Sequence, residues 1–171
     1  MNCDKTIKEI KTFVVVFRDT LTKIGEATIP APIGVDIDPK TGEVNVPLEI
    51  TPMGDVVLNP IIGKNKLVNE GSLKIMLTFK DLYPGPCPDV RKSISHEVLV
   101  PIQSVHKIEE ICPEDHIQEK VEIKSIKVKG IPDKSISKFA GRKMNLLIKV
   151  TLQVEVIIAR EEIICVQVQS K

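Results

Sequence analysis

Residues 143–158 read KMNLLIKVTLQVEVII and form the longest alternation of apolar and polar side chains in the chain. Successive side chains of a β-strand point to opposite faces of a sheet, so this pattern predicts one long strand with an apolar and a polar face. The apolar row runs from Leu146 to Val156, and the polar row includes Lys149 and Glu155. At the edge of a sheet, the unpaired backbone groups of such a strand would invite the addition of another strand.

The sequence on both sides of this strand carries the same signal. A short turn at Ala159–Glu161 is predicted to lead into a last strand that begins near Ile164, which would make a C-terminal hairpin with Cys165 on its polar face. Residues 73–79 and 98–102 also alternate with a period of two. Between residues 121 and 128 the apolar parity switches at Ser125, which predicts a β-bulge because one extra residue turns every later side chain over.

Composition and turn signals extend the strand prediction to the whole chain. Valine and isoleucine carry most of a 42% hydrophobic fraction, whereas aromatic residues make up 3%. Pro39 and Gly42 mark a hairpin turn over residues 38–42. Only residues 3–11 allow a helical turn or two. About nine or ten strands are expected, so the predicted fold is an all-β, antiparallel β-sandwich of jelly-roll-like or immunoglobulin-like type with an N-terminal extension strand.

The first 30 residues are predicted to form an arm, and residues 31–171 the β-sandwich domain. The arm holds charged residues, then a compact apolar strand, then a polar linker. Such a strand either closes its own sandwich or completes the sandwich of a neighbouring molecule. The candidate donor strand consists of Phe13, Val14, Val15, Val16 and Phe17.

Charge and hydropathy argue against several classes of partner. The 24 basic and 23 acidic residues give a net charge of +1, without the basic surplus or the stacking aromatics of a nucleic-acid-binding protein. No apolar run approaches the roughly 18 residues of a membrane span. The N-terminus lacks the charged-then-apolar layout of a signal peptide, so export by the usual route is not expected.

The four cysteines, Cys3, Cys87, Cys112 and Cys165, form no CxxC motif. The sequence allows two interpretations, ordinary free thiols or cysteines that cross-link neighbouring chains in an oxidising environment. Cys112 with either His116 or His106 is the only candidate for a cysteine nucleophile with its base, and no second ligand pair accompanies Cys112 and His116 for zinc. No catalytic residue, metal site or cofactor is therefore predicted, and the segment from Cys112 to His116 is interpreted as a loop capped by acidic residues.

Four segments together resemble a known family. They are GSLKIMLTF (71–79), EVLVPIQ (97–103), VEIKSIKV (121–128) and LLIKVTLQVEV (146–156). Over residues 71–169 this succession of strands resembles the SPOCS domain family, whose members build the spore coat of clostridia and related bacteria. The first 60 residues lie outside the resemblance, and the chain carries neither a second module nor a LysM module.

The resemblance implies a non-enzymatic assembly module, made in the cytoplasm of the mother cell without a signal peptide and deposited on the endospore surface. The expected function is that of a self-assembling subunit of a coat layer or appendage fibre. Copies of itself are the expected partners, with other coat proteins as further candidates. The alternative is a binding module that recruits a coat morphogenetic protein or a cell-wall glycan, and the scarcity of aromatic residues favours the protein partner. An enzyme that uses Cys112 and His116 is the third hypothesis.

Overall fold

The computed structural model describes residues 5–82, 92–132 and 144–169. Within these residues seven strands form one antiparallel sheet, and no helix is long and apolar enough to cross a membrane. The strands are β1 (Lys5–Pro30), β2 (Leu48–Pro52), β3 (Val57–Gly63), β4 (Lys66–Leu82), β5 (Lys92–Lys107), β6 (His116–Pro132) and β7 (Met144–Gln169). The order across the sheet is β2-β4-β5-β1-β7-β6, and β3 pairs with the first part of β4.

The all-β, antiparallel prediction is confirmed, whereas a sandwich of two separate sheets is not. All seven strands belong to a single sheet that curls on itself. Curling brings Asn69 of β4 into hydrogen-bond contact with Glu119 of β6, although three strands separate β4 from β6 in the sheet order. At another point of the same closure, the Gly130 N–H of β6 donates to the Gly42 carbonyl at 2.7 Å.

The predicted alternating rows supply the inside of the curl. In β7, every second residue from Leu146 to Ile158 is fully buried. In β4 the same holds from Leu73 to Phe79, and in β5 the inward row includes Val100 and Ile102. Because burying one such side chain stabilises a fold by roughly 1.5–3 kcal/mol, these three rows provide most of the driving force for the curled shape.

β1 and β7 pair with each other over their whole described length, from Lys5 opposite Gln169 to Pro30 opposite Asn145. One bulge at Val16 interrupts the register. The turn predicted at Ala159–Glu161 is therefore wrong, since β7 continues straight through it for 26 residues. The helical turn considered for residues 3–11 is also wrong for its described part, which belongs to β1. In both places the long-range pairing overrides a weak local preference.

Two local predictions are confirmed. The register between β6 and β7 shifts between Ile123 and Ser125, which is the bulge that the parity switch predicts. The turn over residues 38–42 closes through hydrogen bonds from the Asp38 N–H to the Glu43 carbonyl and from the Gly42 N–H to the Asp38 carbonyl. The longest predicted strand does not lie at an edge, because β7 runs between β1 and β6 as far as Ala159.

Candidate assembly site

One end of the sheet is a two-stranded ribbon, called here the distal ribbon, formed by residues 5–15 of β1 and 159–169 of β7. The two halves pair residue by residue, from Val15 opposite Ala159 to Lys5 opposite Gln169. β6 ends alongside Ala159, and the described pairing of β5 with β1 is at Gly25. Beyond Ala159 no third strand among the described residues joins the pair, so both outer edges of this distal ribbon carry unpaired backbone N–H and C=O groups.

The distal ribbon also exposes large apolar side chains on both faces. Cross-strand partners share a face, so Ile10 and its partner Ile164 lie on one face, and Phe13 and Ile163 lie on the other. Phe13 is 59% exposed and Ile163 is 66% exposed. Of the thirteen exposed large hydrophobic residues in the described chain, six belong to the ribbon: Ile10, Phe13, Val14, Val15, Ile163 and Ile164. This concentration of apolar surface is typical of an interaction site.

An ion pair with a buried carboxylate and a partly exposed guanidinium fixes the base of the distal ribbon. The Arg160 guanidinium donates from Nε and Nη2 to the two Asp115 carboxylate oxygens, at 2.8 and 2.9 Å. The Cys112 N–H donates to the same carboxylate at 2.8 Å, and Arg160 Nη2 also donates to the Glu110 carbonyl at 2.6 Å. The Arg160 hydrogen bonds hold the pKa of the Asp115 carboxyl below its usual value, and the Cys112 N–H acts in the same direction. The loop before β6 is thereby tied to the first residues of the ribbon.

The candidate donor strand lies where the distal ribbon joins the body of the sheet. Phe13, Val14 and Val15 belong to the ribbon, and Phe13 packs edge-on against the His116 ring at a centroid distance of 4.9 Å. Val16 forms the bulge, and Phe17 is partly buried against the core. One edge of this segment already pairs with β7 of the same chain. Among the described residues no strand pairs with the opposite edge at Phe13, Val14 and Val15, so that edge is the one we consider for a strand from a neighbour.

Two of the four candidate cysteines fall within the described residues, and both are free thiols. Cys165 is exposed on the distal ribbon, where it pairs with Glu9. Cys112 is half-buried in the loop that Asp115 caps. Cys3 and Cys87 lie outside the described residues. In the part of the chain that the structure describes, no group of three or more His, Cys, Asp or Glu side chains is arranged to hold a metal ion.

A second site, inside the curl, has only a weak signal in the sequence. Lys23 and Asn69 are fully buried and contact the Glu119 carboxylate. Lys23 shares the inward parity of Ala27 and Ile29, but a polar segment after a short apolar strand is typical of a linker. Asn69 continues the inward row of Leu67. Only the three-dimensional closure of the sheet shows that these polar positions meet.

Three comparisons with known proteins found no match. No protein-family model, no curated protein and no solved structure matches this chain.

Proposed function

We propose that this protein is a structural subunit that assembles with copies of itself, and that neighbouring copies dock by β-strand addition at the distal ribbon. The observation that carries the proposal is the ribbon itself, with two unpaired edges and apolar side chains exposed on both faces. A two-stranded ribbon on its own is marginally stable in water. Covering its edges and faces with a second copy satisfies backbone hydrogen bonds and removes apolar surface from water in one step.

The location that we propose for this assembly rests on the resemblance to the SPOCS domain family. This resemblance points to the endospore surface, as a coat layer or appendage fibre, with other coat proteins as further neighbours. The exposed thiol of Cys165 lies on the docking surface that we propose, so oxidation would join adjacent subunits covalently there. Cys112 is less suited to that role because it is half-buried. Extended strand pairing with covalent locks gives the slow unfolding that a spore surface needs.

The test compares assembly of matched surface variants. The ribbon variant carries Val15→Thr and Ile163→Thr, which keep β-branched side chains but remove apolar contact area. The control carries Leu99→Thr and Val105→Thr, two residues of similar exposure on β5 and outside the ribbon. Sedimentation velocity and negative-stain electron microscopy are run at several protein concentrations, with and without reductant.

We expect fibres or sheets from the unmodified chain and from the control, and a large loss of assembly in the ribbon variant. A Cys165→Ser variant should assemble but should dissociate in denaturant without reductant. Monomeric particles from the unmodified chain at every concentration, in oxidising and reducing buffer alike, would refute the proposal. Equal loss in both double variants would show that apolar surface in general, and not the ribbon, drives association.

One observation favours the alternative, a binding module for a coat protein. A groove of about 680 Å³ lies between residues 41–48 and strands β6 and β7. Its lining combines apolar side chains such as Val46 and Leu48 with Lys127, Lys129 and Lys149. This lining fits an extended segment of a partner that alternates apolar and acidic residues. A dispersed monomer that binds a synthetic Val-Glu repeat peptide, with loss of binding in Lys127→Ala/Lys129→Ala, would favour this function over self-assembly.

A further inference from the structure

Three functional groups with complementary chemistry meet inside the curled sheet, an amine, a carboxamide and a carboxylate. Lys23 of β1 donates from Nζ to the Asn69 side-chain oxygen on β4. The same Nζ lies 3.4 Å from Glu119 Oε1 on β6. The Lys23 side chain is fully buried, and the Glu119 side chain is 6% exposed. Water therefore has little access to any of the three groups.

The orientation of the carboxamide is specific. Asn69 Nδ2 donates to both carboxylate oxygens of Glu119, each at 2.9 Å, while Asn69 Oδ1 accepts from Lys23. The Lys23 amine thus contacts the side-chain carbonyl oxygen of Asn69, which is bonded to the carbon that the amine would attack. The carboxylate lies beside the nitrogen that would have to leave. A general acid must reach its leaving group within hydrogen-bond distance, and Glu119 does so.

The surroundings favour a reactive amine. The inward neighbours of the three groups along their strands include Leu21, Leu67, Ile117 and Val121, all of which belong to or pack against the hydrophobic core. Burial lowers the pKa of the Lys23 amine, although the nearby Glu119 carboxylate partly opposes this effect. Desolvation thus favours the neutral form of the amine, which is the nucleophilic one.

We propose that Lys23 and Asn69 form an intramolecular isopeptide bond, with Glu119 as general base and then general acid. Glu119 first takes a proton from the Lys23 ammonium. The neutral Nζ attacks the Asn69 side-chain carbonyl carbon, and a new C–N bond forms. Glu119 returns the proton to Nδ2 as the old C–N bond breaks and ammonia leaves. The ammonia then takes the second proton of Nζ, so that Nζ becomes an amide N–H and the leaving nitrogen an ammonium ion. Overall, the ammonium and the carboxamide become a secondary amide and one ammonium ion, with no oxidation and no co-reactant.

The neighbouring strand offers a candidate donor for the negatively charged intermediate. Ser104 of β5 lies directly opposite Asn69 in the β4–β5 register. Its buried hydroxyl has no hydrogen-bond partner among the described residues, and the same is true of His106 Nε2 two residues further on. Buried polar groups without a hydrogen-bond partner are costly in a folded protein. If the Ser104 hydroxyl donates to the Asn69 carbonyl oxygen during the attack, that role would explain why a hydroxyl is buried at this position.

The bond would link two strands that do not hydrogen-bond to each other. β5 lies between β1 and β4 in the sheet order, and residues 23 and 69 are 46 positions apart in the chain. β1 also forms half of the distal ribbon. A pulling force on the ribbon would therefore reach the body of the sheet through a covalent bond as well as through the hydrogen bonds to β7.

The test is the mass of the unmodified full-length chain, measured after denaturation and reduction. We expect a mass below the sequence value by one ammonia molecule, about 17 Da. Acylated Lys23 resists trypsin, so a branched product should appear in which residues 19–40 are joined to residues 67–74. Fragmentation should place the link between Lys23 and Asn69. A chain with its full sequence mass would overturn the proposal.

Two variants tie the chemistry to the assigned groups. Glu119→Gln keeps the side-chain shape but removes the acid and base, and the chain should then retain its full sequence mass. Lys124→Met, which replaces an exposed lysine of β6 outside the groove, should still lose one ammonia molecule. A mass loss that persists in Asn69→Leu would refute this pair as its source. Because the first measurement uses the unmodified chain, variants that fail to fold do not affect the decision, and neither result depends on whether the protein assembles.

Discussion

Replacing Asp115 by asparagine is expected to loosen the base of the distal ribbon. The Asp115 carboxylate accepts two hydrogen bonds from Arg160 and one from the Cys112 N–H, and its side chain is 1% exposed. Asparagine keeps one acceptor oxygen but turns an NH₂ donor toward groups that are themselves donors. At least one buried donor then loses its partner, whichever way the amide is oriented.

The expected cost follows from the number and type of these contacts. Hydrogen bonds to a charged group contribute roughly 1.5–3 kcal/mol each. Arg160 is 36% exposed, so it regains part of its solvation when the pair is broken. The net loss in free energy of unfolding should therefore be about 2–3 kcal/mol, less than the sum over three bonds. For a chain of this length, a loss of that size lowers the melting temperature by roughly 4–12 °C.

Thermal unfolding followed by circular dichroism, at neutral pH and below the concentration of assembly, measures this loss. Hydrogen exchange adds a local readout, because the amides of residues 159–169 should lose protection before those of the core. Glu114→Gln is the matched control, since it removes the charge of an exposed neighbour and should change the stability by less than about 0.5 kcal/mol. An Asp115→Asn chain that melts like the unmodified protein, with unchanged exchange in the ribbon, would show that the ion pair does not fix its base.

Three further changes have defined outcomes. Acidification should destabilise the unmodified protein more than Asp115→Asn, because the folded-state pKa of Asp115 is lowered. The stability that Asp115 contributes is fully present above its unfolded-state pKa near 3.9 and is lost as the pH falls through its folded-state pKa. Urea titrations from pH 6 to pH 2 would detect this difference. Leu152→Ala removes a fully buried side chain and should cost about 2–5 kcal/mol in urea unfolding, and a loss under 1 kcal/mol would contradict its central place in the core. Gly42→Ala should lower the free energy of unfolding by about 1–3 kcal/mol and expose the Gly130 amide to hydrogen exchange. The reason is that Gly42 has a φ of 73° and that an added Cβ would lie 2.3 Å from the Gly130 carbonyl oxygen. Unchanged protection of the Gly130 amide would contradict the close contact.

The parts of the fold that could be predicted are those that local physics determines. The inward row from Leu146 to Val156 follows from the two-residue period of a strand, which needs no knowledge of the partner. The bulge near Ser125 is predicted for the same reason, because an extra residue inverts the parity of everything after it. The turn at residues 38–42 depends on the backbone preferences of proline and glycine, which are also local.

The parts that could not be predicted depend on partners that are far away in the sequence. Arg160-Glu161-Glu162 has the charged character of a turn, yet these residues continue β7 because residues 12–14 of β1 lie opposite them. Their charges are accommodated on the ribbon, where Lys11 pairs with Glu161 and Arg160 with Asp115. A strand pairing across some 150 residues leaves no local trace in either segment. The meeting of β4 with β6 is hidden in the same way.

The buried groups of Lys23, Asn69 and Glu119 either form only an ion pair or form an isopeptide bond. The two roles predict opposite signs for the change in free energy of unfolding when all three residues are replaced by apolar ones. If they only form an ion pair, an apolar replacement such as Lys23→Met/Asn69→Leu/Glu119→Leu should be neutral or stabilising by about 1–4 kcal/mol, because buried charges pay a large desolvation cost. If an isopeptide bond joins residues 23 and 69, the same variant loses the closure of a loop of 46 positions, which should cost about 4 kcal/mol in the chain-entropy treatment of a cross-link. Reversible urea unfolding of both proteins decides between these outcomes. A triple variant as stable as the unmodified chain, or more stable, would contradict a covalent role for the cluster.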